Sequence, residues 1–217
     1  MKDLRTFSDQ YHNLLTTKFA GINLTRILDA EEFYNKQILD SVLPYEHSEI
    51  FKNSLMKNKV LIDVGFGGGF PILTLLFHVE QKIKAIGIES KRKKCEVVGE
   101  IAKKLALVAD FYHARIENVI IDKPATVTFK AVGKVNDFLS KIQTTETIQV
   151  FFYKGPGFYE QEENQLNEAL KQWDLIEEET IDVPEVEQRL LIGFQNKKKV
   201  LRRTKNTEIV VKVSDII

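Results

Sequence analysis

The chain has 217 residues, 43% of them hydrophobic, with 31 basic and 31 acidic side chains and a formal net charge of zero. That size suits one domain with an appendage, and the charge balance argues against a generic nucleic-acid coat. One cysteine excludes a disulfide framework and a cysteine-based zinc site, four scattered histidines (His12, His47, His78, His113) lack ligand spacing, and no metal is expected.

Met1 to Arg5 lacks the apolar segment of a signal peptide, and no apolar run approaches the ~20 residues of a membrane span, so a cytoplasmic protein is expected. Residues 1–57 have helical periodicity. Leu4, Phe7, Tyr11, Leu14 and Leu15 recur at three- and four-residue steps. Gly21-Ile-Asn-Leu-Thr25 breaks that helix. A second starts near Asp29 with Ala30, Phe33, Tyr34, Ile38 and Leu39 inward and is expected to end before Pro44; a third covers about Ser48 to Lys57. This segment has no linker-like composition and is expected to pack on the core.

Elements then alternate. Strand 60–64, helix 71–79, strand 83–88 and helix 92–106 follow, the last expected to be capped by Ser90 and to bury Val97, Val98, Ile101 and Leu105. Strand 109–113, a weaker strand from Thr126 to Val132, a helix from Val135 to Ile142 and a strand from Ile148 to Lys154 come next. Helix Gln161–Trp173, strand Leu175–Val183 and strand Arg189–Gln195 complete the pattern. Strict alternation predicts an α/β fold with a doubly wound, mostly parallel sheet and an antiparallel hairpin around Pro184 at one edge. Residues 58–195 form this domain, and 196–217 are expected to be a basic tail. Within that tail Thr207 to Val213 is open between an added edge strand and no regular structure.

Charge is segregated along the chain. Glu160 to Glu187 holds eleven acids and one base, Lys171, whereas Lys197 to Lys205 holds six bases and no acid. Such a contrast can draw a polyanion to one face and repel it from another.

Chemistry concentrates after the first strand. Val60 to Val64 leads into Gly65-Phe-Gly-Gly-Gly69, and an apolar helix follows, so bare backbone and a helix N-terminus face a ligand. The P-loop lysine is absent. The dinucleotide fingerprint needs glycine at its sixth position, where this chain has Phe70. Asp63 followed by Gly-x-Gly-x-Gly resembles the turn of S-adenosylmethionine-dependent methyltransferases. Glu89, ending the next strand, stands where a carboxylate would take ribose hydroxyls.

In order and spacing the motifs resemble the bacterial glucose-inhibited-division-B (RsmG/GidB) family of small-subunit ribosomal RNA guanine-N7 methyltransferases, from about Asn23 to Gln195. Asn23-Leu-Thr25, Ile38-Leu-Asp-Ser41, Asp63-Val-Gly-Phe-Gly-Gly-Gly-Phe-Pro71, Glu89-Ser-Lys-Arg-Lys-Lys94, Ala114-Arg-Ile-Glu117 and Tyr153-Lys-Gly155 are similar to that family's elements. Five positions depart from it. Gln37 replaces a histidine, Glu89 an aspartate and Lys130 an arginine, and Glu187-Gln188-Arg189 replaces Glu-Arg-His.

The resemblance implies a Rossmann-like class I methyltransferase that moves the methyl of S-adenosylmethionine to N7 of a guanine in the decoding-region loop of 16S ribosomal RNA. Its partner would be that RNA or a small-subunit precursor, with the enzyme a monomer. It implies that Gly65, Gly67, Gly69, Phe70, Glu89, Ile116, Glu117 and Lys130 line the cofactor, and that Lys130, Arg115 and Lys154 serve catalysis. Phosphate contacts would come from Lys91, Lys93, Lys94, Lys103, Lys104, Arg189, Lys197, Lys198 and Arg202. Competing readings make Arg115 and Lys154 ion-pair formers and Phe70 plain core. The residues are compatible with N7 chemistry, which needs neither a Pro-Pro motif, absent here, nor a cysteine nucleophile. Alternatives are a methyltransferase for another RNA position or a small molecule, a non-catalytic RNA-binding assembly factor and, third, a dehydrogenase.

Overall fold

The computed structural model describes residues 3–199 and 211–217. Helix α1 (Leu4–Asn13) starts at Asp3, whose side chain accepts from the Arg5 N–H, and runs on as a π-helical turn through Leu14–Lys18. Phe7, Tyr11 and Leu15 form its buried stripe. After an irregular stretch, α2 (Ala30–Phe33), a π-helical turn (Tyr34–Leu39) and α3 (Asp40–His47) make one rod. Ala30, expected inward, is exposed.

The expected stop before Pro44 is corrected: the helix passes through it and ends at His47. Proline at that position removes only the bond to the Asp40 carbonyl, where the regular α pattern has just resumed after the π turn. Ser48 then caps α4 (Glu49–Asn58) by accepting from the Phe51 N–H.

The main sheet contains β1 (Val60–Val64), β2 (Lys84–Glu89), β3 (Asp110–His113), β5 (Thr126–Lys130), β7 (Gln149–Lys154), β8 (Trp173–Ile181) and β9 (Arg189–Asn196). Two further strands, β4 (Val119–Ile121) and β6 (Gln143–Thr144), lie outside it. Strand order is β3-β2-β1-β5-β7-β9-β8, parallel from β3 to β7 and antiparallel at β9 and β8. The order reverses between β1 and β5, the switch point where α/β sheets bind ligands.

Helices α5 (Ile72–His78) and α6 (Arg92–Lys104) pack on one face; α7 (Val135–Leu139) and α8 (Phe158–Ala169) pack on the other. Alternation along the strands divides the core accordingly. Leu61, Phe151 and Tyr153 join the N-terminal helices, while Ile62, Val150 and Phe152 join α7 and α8. Both faces being covered explains why β1 and β7 are nearly continuous apolar runs.

The C-terminal segment re-enters the fold. Strand β10 (Val211–Lys212) pairs with β4, which pairs with β6, in a second parallel sheet. Val213 is buried, and Ser214 donates its N–H and hydroxyl to the Asp122 carboxylate. Of the open stretch Thr207 to Val213, Val211–Lys212 is therefore a strand, on this small sheet rather than on the main edge, and Val213 opens a 3₁₀ turn.

The N-terminal helices are locked to the loop after β1. Tyr11 is fully buried, its hydroxyl donates to the Gly68 carbonyl, and its ring stacks on Phe70 at 4.9 Å. Tyr11→Phe keeps the ring but leaves that carbonyl without its donor. Urea unfolding should show a loss of about 1–3 kcal/mol with an unchanged m-value.

Candidate functional site

The turn after β1 depends on glycine at three positive φ angles, Gly65 (72°), Gly67 (54°) and Gly69 (96°). At Gly69 an added Cβ would lie 2.2 Å from the Tyr11 hydroxyl, so this glycine admits the N-terminal helices. Asp63, wholly buried beneath the turn, accepts from Thr128 Oγ1 on β5 (2.9 Å) and from the Ile72 N–H opening α5 (3.1 Å). Burial pushes its carboxyl up to about 7, against the pull of those two hydrogen bonds and Lys130.

Glu89, at the end of β2, braces the turn from the other side. Its Oε2 accepts from the Gly67 N–H at 3.2 Å, and its Oε1 from Ser90 Oγ and the Lys91 N–H at 3.2 and 3.0 Å. The expected Ser90 cap on α6 is thus corrected. Lys91 occupies the cap position, and the serine hydroxyl turns back to the Glu89 carboxylate.

Beside this turn lies a cleft of ≈ 170 Å³. Val64, Gly65, Ile88, Ala114, Ile116 and Phe138 give it apolar walls, and Ser90, Arg115, Glu117 and Lys141 a polar rim. A more polar recess shares Ser90, Ala114, Arg115 and Glu117 with it. Ile116 and Glu117 begin the 3₁₀ turn Ile116–Asn118 that leads into β4, and Gln143 on β6 donates to the Glu117 carbonyl at 2.6 Å. An apolar-walled cleft with a braced carboxylate and bare backbone beside it suits a nucleoside: heterocycle between aliphatic walls, hydroxyls toward the acid.

A second cleft, ≈ 350 Å³, opens across the end of β5 and is lined by Ile27, Lys36, Gln37, Asp40, Lys130, Ala131, Tyr153, Lys154, Gly155 and Arg189. Its floor is an ion-pair cluster. Lys130 Nζ lies 3.0 Å from Asp40 Oδ2 and donates to Gln37 Oε1 (3.2 Å) and the Lys36 carbonyl (3.4 Å). Arg189 Nε donates to Asp40 Oδ1 at 3.0 Å. Ala131, at φ 53°, turns the chain just after Lys130.

The sequence-predicted residues divide between these clefts. Gly65, Arg115, Ile116 and Glu117 line the first; Lys130, Lys154 and Arg189 line the second; Gly67 and Glu89 are joined to each other. Two assignments to the cofactor face are corrected. Gly69 packs toward Tyr11, Leu73 and Val98, and Phe70 is buried between Tyr11 and Phe33 with Lys130 Nζ 5.9 Å from its ring centre. An apolar ring beside a proline lowers its energy most by joining the N-terminal helices.

Lys154 lines the second cleft and is also paired. Its ammonium is only 8% exposed and donates to Glu162 Oε1 and the Gly133 carbonyl, both at 2.8 Å. Glu162 Oε2 also accepts from the Val135 N–H, so this pair fixes the loop between β5 and α7. Burial lowers the Lys154 pKa, with Glu162 opposing. Arg115, by contrast, has a 72% exposed side chain, 3.9 Å from Glu117.

Among the candidate phosphate contacts, Lys91, Lys93, Lys103, Lys104 and Lys198 are exposed, and Lys94 is half-buried. Lys197 pairs with Asp174 at 3.6 Å and donates to the Leu170 carbonyl. Arg202 lies outside the described residues. Among the described residues no group of three His, Cys, Asp or Glu side chains is placed to hold a metal.

Asp40 and Gln37 were not singled out as site residues by sequence reasoning. Their one signal was position. Gln37 departs from the resembled pattern directly before Ile38-Leu-Asp-Ser41, and it touches Lys130, another departure.

The family model described as rRNA small subunit methyltransferase G (GidB) matches residues 6–192. The protein named ribosomal RNA small subunit methyltransferase G in Pseudothermotoga lettingae is 32% identical, over 86% of this chain and 80% of its own length. Its namesake in Brucella anthropi is 30% identical, over 78% of each chain. Among solved structures, a SAM-dependent methyltransferase from Aquifex aeolicus shares the fold, with a TM-score of 0.50 at 17% identity over 73% of this chain and 92% of that one.

The two cations can be told apart by stability. Lys154→Met strands the Glu162 carboxylate and should cost about 3 kcal/mol in urea unfolding, the lower end for a broken buried pair because the Val135 N–H remains. Arg115→Ala should stay within about 0.5 kcal/mol of wild type.

Proposed function

The chain belongs to the GidB family of small-subunit ribosomal RNA methyltransferases, and on that premise we propose that it methylates N7 of a guanine in the decoding-region loop of 16S ribosomal RNA. It is an S-adenosylmethionine-dependent enzyme with an RNA substrate. The observation that carries the finer reading is the adjacency of two unlike clefts. An apolar-walled cleft at the ends of β1 and β2 and a cation-lined cleft at the end of the neighbouring strand β5 flank the switch point.

The residues of the first cleft and of the turn beside it fit the cofactor. Gly65 and Gly67 would give it bare backbone, Glu89 an acceptor for ribose hydroxyls, and Ile116 and Glu117 a flank for adenine. When bound, S-adenosylmethionine supplies an electrophilic sulfonium methyl group.

Guanine N7 carries an available lone pair and no proton, so transfer to it calls for alignment rather than a general base. The second cleft suits that requirement. Lys130 and Arg189 line it, and cationic donors there favour a base that offers a carbonyl acceptor such as guanine O6 while N7 stays turned toward the methyl donor. Lys130, in the second cleft, would act as a positioning cation. Cytosine-C5 chemistry fits poorly, since Cys95 is buried, donates to the Glu89 carbonyl and has its thiol pushed up to about 11 by burial.

Exposed Lys91 and Lys93, with Lys94, open α6 beside the cofactor cleft and would hold RNA phosphates near the reaction centre. Lys103, Lys104, Lys197, Lys198 and Arg202 would extend that contact, with the acidic stretch Glu160 to Glu187 repelling RNA elsewhere. The small ribosomal subunit or its precursor is the partner in this reading, and the enzyme acts as a cytoplasmic monomer. Among the described residues no helix is long and apolar enough to cross a membrane.

The test is incubation with methyl-labelled donor and small subunits from cells lacking this gene, followed by strand scission at N7-methylguanine. One labelled decoding-loop guanine is expected; label at another position or on another atom overturns the proposal. Glu89→Ala should weaken S-adenosylhomocysteine binding in calorimetry by about tenfold or more, while RNA affinity stays within about twofold. Lys91, Lys93 and Lys94 changed together to Ala should weaken RNA binding across sequences and lower the salt slope by about 3.

A further inference from the structure

The second cleft has a feature that a simple phosphate cradle would not need: a carboxylate at its centre. Asp40 is 4% exposed, lines the cleft, and holds one cation on each oxygen, Arg189 Nε on Oδ1 and Lys130 Nζ on Oδ2. A carboxylate so placed weakens the cleft for an anion by partly neutralising both cations. It strengthens the cleft for a ligand that offers donors beside an acceptor.

Each Asp40 oxygen has more than one lone-pair direction, so its single cation contact leaves acceptor capacity in hand. Arg189 is tied to Asp40 through Nε, which leaves its terminal N–H groups as donors next to the same carboxylate. The Arg189 side chain is 26% exposed, so a ligand can reach it. Lys130 has its ammonium committed to Asp40, Gln37 and the Lys36 carbonyl and contributes charge.

The pattern offered is therefore a donor from Arg189 beside two acceptors from Asp40. Of the four RNA bases, only guanine shows the complement on its pairing edge: O6 as acceptor, then N1–H and N2–H₂ as donors. Adenine shows a donor then an acceptor, uracil an acceptor on each side of its donor, and cytosine two acceptors and one donor. The pairing edge also lies away from N7, so a base held by it keeps N7 open to the methyl donor.

We propose that Asp40, oriented by Lys130 and Arg189, is the specificity-determining residue of this enzyme, accepting from N1–H and N2–H₂ of the target guanine while Arg189 donates to O6. The inference rests on the guanine-N7 reading above and names the group that enforces it.

Inosine separates the two, because it keeps N7, O6 and N1–H but lacks the 2-amino group. Small subunits would be reconstituted with RNA carrying guanosine or inosine at the target nucleotide, and methyl transfer measured for wild type and Asp40→Asn. Wild type should lose about tenfold or more in kcat/KM on inosine, because a site built to bond an amino group leaves its acceptor unpaired when that group is missing. In Asp40→Asn, which has one acceptor fewer, the inosine penalty should shrink to less than about threefold on top of a lower rate with guanosine.

An equal inosine penalty in wild type and variant overturns the proposal and makes Asp40 a clamp for its two cations only. So does a wild-type penalty below about threefold, a result that stands even if Asp40→Asn fails to fold. No N7 methylation of guanosine by wild type would instead overturn the functional reading on which the inference rests.

Discussion

One buried carboxylate holds the site's architecture. Asp63 ends the central strand β1 and binds β5 through Thr128 and α5 through the Ile72 N–H, so the glycine turn is strung between two fixed points. Its ordinary carboxyl value of 3.8 rises to about 7 in the fold because no solvent reaches it. A carboxyl whose folded pKa is raised contributes its full stability below the unfolded value, and that contribution is lost as pH rises through about 7. Near neutrality the charged form is therefore strained, and the Thr128 and Ile72 bonds are what offset it. The turn depends on a group that the fold would hold more easily protonated, a local cost of the kind that functional sites store.

The N-terminal helices complete what the sheet begins. An α/β sheet alone would present Lys130 and Arg189 as two cations at the ends of β5 and β9. Residues 36–40 supply their acceptors: the Lys36 carbonyl, Gln37 and both oxygens of Asp40. The same helices reach the glycine turn through the Tyr11 hydroxyl and through Phe70, whose ring lies between Tyr11 and Phe33. One wall of the second cleft is thus built from residues that composition and periodicity describe only as an apolar-striped helix.

Much of the fold was legible because its signals are periodic. The strands around β1 and the hairpin of β8 and β9 follow from apolar runs and from Pro184, and Glu89 was placed by its distance from the glycines. The small sheet was hidden, since strands of two or three residues carry no period and its members lie far apart in sequence. Lys154 and Asp40 were hidden for a different reason. A charged residue shows nothing in its own sequence neighbourhood of a partner elsewhere in the fold. The sequence leaves Lys154 open between a site cation and an ion-pair former because Glu162 sits on another element, and Asp40 reads as part of a motif because Arg189 is 149 residues away. The sequence leaves Phe70 open between cofactor lining and core because its neighbours are glycines that suggest a ligand, whereas the ring itself packs on Tyr11 and Phe33.

The two departures at positions 37 and 130 form a single adjustment. An ammonium has three N–H groups that point apart, and Lys130 meets three acceptors, Asp40 Oδ2, Gln37 Oε1 and the Lys36 carbonyl, all from the same stretch of helix. A guanidinium keeps its donors in one plane and favours a bidentate partner, so it would not satisfy that convergent set from the same backbone position. Gln37 fits because its amide oxygen accepts without carrying charge, leaving Asp40 as the ion-pair partner of Lys130 within the cluster. Lysine with glutamine is therefore a matched solution to one geometric demand. It holds a positive charge in the second cleft while leaving Arg189 the cation with N–H groups free to meet a base.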